Sequence, residues 1–152
     1  MPAKTVEMVV SLKVPDTTSI TALQTLQKIG FSKIRNVGRS DYYKFSIGGD
    51  EKKFRSQICK ADILVNANKH AYAFSIPKES SIKILVKNIN GEESGILTVL
   101  KNRLGFKNIE KIEKATLWFL TIDTDEKEAV KIADKAAKEL LVNENYQEYE
   151  IL

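Results

Sequence analysis

Residues able to carry covalent chemistry are few in this 152-residue sequence, which has one Cys and one His. Cys59 with His70 is the only thiol–imidazole pair available as nucleophile and base. No neighbouring group activates the thiol, so the pair reads as a half-buried helical Cys and a surface His at the start of a strand. A lone Cys rules out a disulfide framework or a multi-thiolate metal site, and a lone His leaves little room for a His-based triad. Gly91-Glu92-Glu93-Ser94-Gly95 lacks the Lys-Ser/Thr ending with which a phosphate loop reaches phosphate and magnesium. No G-x-G-x-x-G, nucleophile elbow or HExxH occurs either, so no catalytic residue, cofactor site or metal site is expected.

Two surface patterns remain. Lys127, Lys131, Lys135 and Lys138 interleave with Glu128, Asp134 and Glu139, the pattern of a solvated helix face and not of an acid–base pair. Tyr42, Tyr43 and Phe45 lie near Arg35, Arg39 and Lys44, as aromatic and basic residues do on RNA-binding sheets. The RNA-recognition signature is absent, and strand alternation sends Tyr43, Phe45 and Ile47 together to one face, which points to a core.

Composition sets the frame for these residues. At 17.1 kDa, 43% hydrophobic and 29% charged, the chain has a globular composition. No apolar run approaches the roughly 18 residues of a membrane span, and the N-terminus enters a strand pattern directly, so a cytoplasmic protein is expected. The net charge of +4 is uneven: residues 1–77 carry +6 and residues 78–152 carry −2. A basic first half favours an anionic ligand or an acidic protein surface.

The elements that must position these residues come in two copies. Gly30-Phe31-Ser32-Lys33-Ile34 matches Gly105-Phe106-Lys107-Asn108-Ile109 at an offset of 75, as Asp50-Glu51-Lys52 matches Asp125-Glu126-Lys127. Leu64-Val65-Asn66 matches Leu141-Val142-Asn143 at 77, which implies a two-residue insertion in the second copy. The repeats are 1–77 and 78–152, divided at Pro77-Lys78-Glu79-Ser80-Ser81. Alternation predicts strands at 6–14 and 82–89, and an apolar stripe predicts helices at 19–29 and 93–104. Gly30 and Gly105 are placed to stop those helices. Strands follow at 33–37 and 42–47, joined by a turn at Gly38-Arg39-Ser40, with partners at 108–112 and 117–122. Helices at 51–64 and 126–141 and strands at 71–76 and 147–151 complete each copy. The expected fold is therefore α+β, two βαββαβ ferredoxin-like units with antiparallel sheets packed as an intrachain pseudo-dimer.

These residues resemble PurS, the small subunit of phosphoribosylformylglycinamidine (FGAM) synthase. Leu23, Leu26, Gly30-Phe31, Ile34 and Val37-Gly38-Arg39 follow the family's middle motif, approximately A-L-x-x-L-G-F-x-x-V-x-x-V-R-x-G-K. Leu140-Leu141-Val142-Asn143 and Glu148-Tyr149-Glu150-Ile151 follow its tail, approximately L-L-A-N-P-x-x-E-D-Y-E-I. Ala67 and Glu144 replace the tail proline, the first copy ends Ala71-Tyr72-Ala73-Phe74 without the acidic pair, and Glu113-Lys114 stand where the first copy has Gly38-Arg39. Each copy keeps some family features better than the other, as duplicated and specialised halves would.

The resemblance implies a fused pair of PurS-like units, able to pair further, that does no catalysis itself. It implies a bridge between the PurL synthetase and the PurQ glutaminase of purine biosynthesis, supporting ammonia transfer, with no nucleic acid or membrane as partner. Interface candidates are Arg35, Gly38 and Arg39 near the basic turn, Tyr42, the Asn66 and Asn143 loops, and Tyr149. The alternatives are a tandem ACT-like regulatory protein that binds a small molecule, and an RNA-binding ferredoxin-like protein. The ACT-like reading lacks the Gly-containing turn after the first strand, where the chain reads Lys13-Val14-Pro15-Asp16-Thr17-Thr18-Ser19.

Overall fold

A computed structural model describes residues 4–77, 81–89 and 93–152. In chain order the elements are β1 Lys4–Leu12, α1 Thr17–Lys28, β2 Ile34–Ile47, α2 Glu51–Ile58, β3 His70–Ala73, β4 Ile82–Asn88, α3 Glu93–Asn102, β5 Ile109–Ile122, α4 Glu126–Ala136 with a π-turn at Ala137–Leu141, and β6 Gln147–Ile151. The fold is α+β, with a sheet of order β3-β1-β2-β5-β4-β6. The expected repeat boundary falls on residues 78–80 and the Gly91-Glu92 pair on 90–92, both outside the described residues. No helix among the described residues is long and apolar enough to cross a membrane.

Helix starts and stops follow local chemistry. Asp16, Asp50 and Asp125 cap α1, α2 and α4, each carboxylate accepting backbone N–H groups that have no intrahelical partner. Gly30 (φ 114°) and Gly105 (φ 77°) take the left-handed conformation that ends the α1 and α3 segments. The helix expected over 51–64 is shorter. It ends at Ile58, and the chain continues in tight turns, with Ala61 N–H donating to Ile58 O and Leu64 N–H to Ala61 O at 3.0 Å each. Its counterpart runs on from α4 through the π-turn, where Val142 N–H reaches Ala137 O at 2.9 Å. The two inserted residues of the second repeat are absorbed there.

The expected turn at Gly38-Arg39-Ser40 does not form. Gly38 has no positive φ, and β2 passes straight through it as one 14-residue strand, as β5 passes through Glu113-Lys114-Ala115. A tight hairpin there would need left-handed residues, and the second repeat offers no glycine at that place.

Because β2 and β5 run straight, the compact units draw on both repeats. One comprises Met1–Val14, Asp41–Pro77 and Gly91–Lys114; the other comprises Pro15–Ser40, Lys78–Asn90 and Ala115–Leu152. Followed as β1, α3, the start of β5, the end of β2, α2 and β3, the first unit is a βαββαβ ferredoxin-like domain. The second has the same plan as β4, α1, the start of β2, the end of β5, α4 and β6.

Equivalent bonds recur in each unit. Gly48 N–H donates to Asn108 O at 3.0 Å in the first, and Asp123 N–H to Lys33 O at 2.8 Å in the second, every position shifted by 75. The first core gathers Val6, Met8, Phe45 and Phe54 with Leu100 and Phe106. Its Phe45–Phe54 and Phe54–Phe106 rings meet edge to face at 5.3 and 6.0 Å. The second core gathers Ile84, Val86, Trp118 and Leu120 with Ala22, Leu26, Ala133 and Leu141.

Candidate functional site

In the second unit, the start of α1 and the start of β2 bring Asp16 and Arg39 together. Arg39 Nε donates to Asp16 Oδ2 at 3.0 Å, and its guanidinium lies 5.8 Å from the Trp118 ring centre. The Asp16 carboxylate also accepts from Thr18 N–H and the Ser19 hydroxyl, both at 3.0 Å. Burial alone would raise its pKa. The Ser19 and Thr18 hydrogen bonds and the Arg39 charge outweigh that, and the group sits below the usual carboxylate value.

Beside this network lies a cavity of about 410 Å³ lined by Thr17, Thr18, Thr21, Ala22 and Thr25 of α1 with Trp118, Leu140 and Leu141. The threonines belong to none of the sequence motifs. Their signal is the spacing 17, 18, 21 and 25, which places them along one face of α1.

The first unit carries the matching cation–ring contact, with Lys114 Nζ 6.0 Å from the Tyr43 ring centre. Lys114 is the counterpart of Arg39, and Tyr43 of Trp118. The second repeat thus keeps a cation at the position where its sequence lacks the Gly-Arg pair. Burial, then the Asp41 charge, pushes the Tyr43 phenol up to about 12.

The other interface candidates are not drawn into one site. Arg35 is exposed and meets exposed Asp123 at 3.4 Å. Gly38 lies within β2 with the Phe119 side chain 3.7 Å from where a Cβ would stand. Tyr42 is buried, and its hydroxyl donates to Glu7. Asn66 and Asn143 build the same turn twice: each side-chain oxygen accepts from the N–H two residues on, at 3.0 and 3.1 Å. The turns are closed by Asn66 N–H donating to His70 Nδ1 and Asn143 N–H to Gln147 Oε1, both at 2.9 Å. His70 is thus occupied away from Cys59, whose thiol donates to Ser56 O at 3.6 Å.

Tyr149 donates to Asp134, which also pairs with Lys138 at 3.3 Å. The Asp134 bond raises the Tyr149 pKa, and the Tyr149 bond lowers that of Asp134. Tyr72 stands at the equivalent place, and its pKa is likewise raised, chiefly by Cys59.

These features define a ferredoxin-like α+β protein whose units are each completed by elements of the other repeat. Residues 89–152 match the family model PurS: Phosphoribosylformylglycinamidine (FGAM) synthase. No curated protein matches the chain.

Proposed function

We propose that the chain acts as a PurS-type, non-catalytic subunit of a cytoplasmic FGAM synthase, both repeats 1–77 and 78–152 being PurS-like. In this role it bridges the PurL synthetase and the PurQ glutaminase, so that ammonia passes to its acceptor without release to water. The match of residues 89–152 to PurS carries the reading. Those residues supply α3 and the start of β5 to the first unit and the rest to the second, and the first repeat fills the equivalent positions in each. Support for the extension to residues 1–77 comes from the offset of 75 shared by sequence, hydrogen bonds and cation–ring contacts.

Of the two charged candidate contacts, Arg35 is the more exposed, at 61% of its side chain against 34% for Arg39. Charged rims of this kind chiefly set orientation and association rate. The test is glutamine-dependent FGAM synthesis by PurL and PurQ from the same source, with and without this chain. Activity that appears only on its addition, with a co-eluting complex, supports the role. Full activity without it, and no complex under matched ligand conditions, overturns the role.

A further inference from the structure

The cavity over Trp118 is not accounted for by a bridging role. Its walls are four threonines, Ala22, Leu140, Leu141 and the indole, and no charged side chain lines it. The polar groups there are unspent. Neither the Trp118 N–H nor the hydroxyls of Thr17, Thr18, Thr21 and Thr25 bond a protein group among the described residues. Trp118 is only 8% exposed, and it borders the cavity. Among the described residues no protein group accepts from its N–H, and that atom is not sealed from solvent, so the donor is open to a bound acceptor.

The first unit shows how the space would otherwise be closed. Phe31 N–H bonds Leu26 O, and Phe106 N–H bonds Leu100 O, which aligns α1 with α3 and sets Ala22 opposite Ile96 and Thr25 opposite Val99. Ile96 packs against the first core, where Ala22 leaves room in the second. The small side chain and the hydroxyl at these two positions are what the second unit has in place of packing.

We infer that this cavity is a binding site for a small uncharged molecule with an apolar body and a carbonyl or ether acceptor. The volume is within the range of small-molecule sites, about 300–1,000 Å³. The donors suit an acceptor oxygen, and the apolar walls suit a ring or branched hydrocarbon. Asp16 accepts from the Thr18 N–H at the start of α1, and Arg39 balances its charge, so the two charges beside the site are paired with each other. This inference does not rest on the assembly role.

Trp118 is the only tryptophan of the chain, so its emission reports the site directly. The full chain is titrated with benzamide, with benzoate and benzylammonium as charged controls. A saturable change in emission is expected with benzamide, at least tenfold weaker with either ion. Ala22→Ile, which copies the first unit, weakens it at least tenfold with the thermal midpoint kept or raised. Thr25→Val, nearly unchanged in shape, weakens it several-fold. No saturable change with benzamide overturns the inference, as does equal binding by the ions or undiminished binding by folded Ala22→Ile. If Ala22→Ile fails to fold, Thr25→Val decides, and unchanged binding there overturns the inference. Failure to bind benzamide together with lost PurL–PurQ assembly in Ala22→Ile also overturns it, in favour of a socket for a partner's side chain.

Discussion

Arg39 holds Asp16 at 3.0 Å while lying 5.8 Å from the Trp118 ring centre, so the basic residue offered by sequence for partner contact is engaged within its own unit. Its side chain is one-third exposed and that of Asp16 less than one-sixth. Arg39→Glu would set a second carboxylate against Asp16. Lost assembly in that variant would therefore not separate a broken contact from a weakened unit. Arg35→Glu separates them, because Arg35 is exposed and its pairing with Asp123 is a surface pairing. Expected is weaker PurL–PurQ assembly at an unchanged thermal midpoint; unaltered assembly removes Arg35 from the interface.

The Asp16 network can be divided by two substitutions. Asn caps a helix about as well as Asp, so Asp16→Asn removes the charge and keeps the cap, at a cost of about 0–1 kcal/mol. Asp16→Ala removes both and costs about 1–2 kcal/mol. The native pKa is lowered, so the charge-dependent stability is present above the unfolded value and is lost as pH falls through the folded one. Denaturant midpoints across the acid range should show the gap between wild type and Asp16→Asn closing on acidification. A gap that stays constant with pH would assign the loss to shape alone.

Tyr43 gives the opposite sign. Its phenol is held neutral to about 12 by burial and by Asp41, so its contribution is complete below the unfolded value near 10 and is lost between there and about 12. Tyr43→Phe should flatten that alkaline loss of stability, measured as unfolding midpoints against pH. A wild type and variant that fall together would place the alkaline transition elsewhere.

Much of this architecture is legible in the sequence, because alternation and helical stripes depend on which side chains face a core. Asp125 caps α4, and Gly30 and Gly105 end their segments as their types and places imply. The straight passage at 38–40 is hidden for a physical reason. Two strands joined by a hairpin and one unbroken strand share the same local alternation, and Gly38 fits both. Only Glu113-Lys114-Ala115, which has no turn former, argues for the straight form. The consequence is non-local: exchange of α1 and α3 between units changes no residue's burial preference, so periodicity cannot register it. The roles of Asn66 and Asn143 are equally open in the sequence, since an Asn builds a turn or offers an amide to a partner with the same side chain.

Asn143→Ala tests that choice. It deletes the oxygen that accepts from Asn145 N–H, and one such hydrogen bond contributes about 0.5–1.5 kcal/mol. Asn143→Asp keeps an acceptor there and should retain more stability than Ala. Expected is a lower thermal midpoint for Ala with assembly intact at a temperature where the variant is folded. Weaker assembly at an unchanged midpoint would make Asn143 a contact residue.

The exchange itself makes the sharpest prediction. Repeat 1 alone supplies β1, α2, β3 and part of β2 to the first unit, and lacks α3 with the start of β5. Leu100 of α3 is fully buried in that core and would be missing from it. Within the intact chain, Leu100→Ala should cost about 2–5 kcal/mol, the range for truncating a buried leucine. Residues 1–77 produced alone should therefore not fold as a monomer. They should remain largely unfolded or pair with a second copy, which can donate α1 as α3 is donated in the full chain. Co-expressed with residues 78–152, they should co-purify as a one-to-one complex with the full chain's circular dichroism. Sedimentation and denaturant melts of the 1–77 fragment check this. A cooperatively folded monomer would mean that the fragment closes its own core, with β2 bent at Gly38 into the hairpin that the full chain does not form.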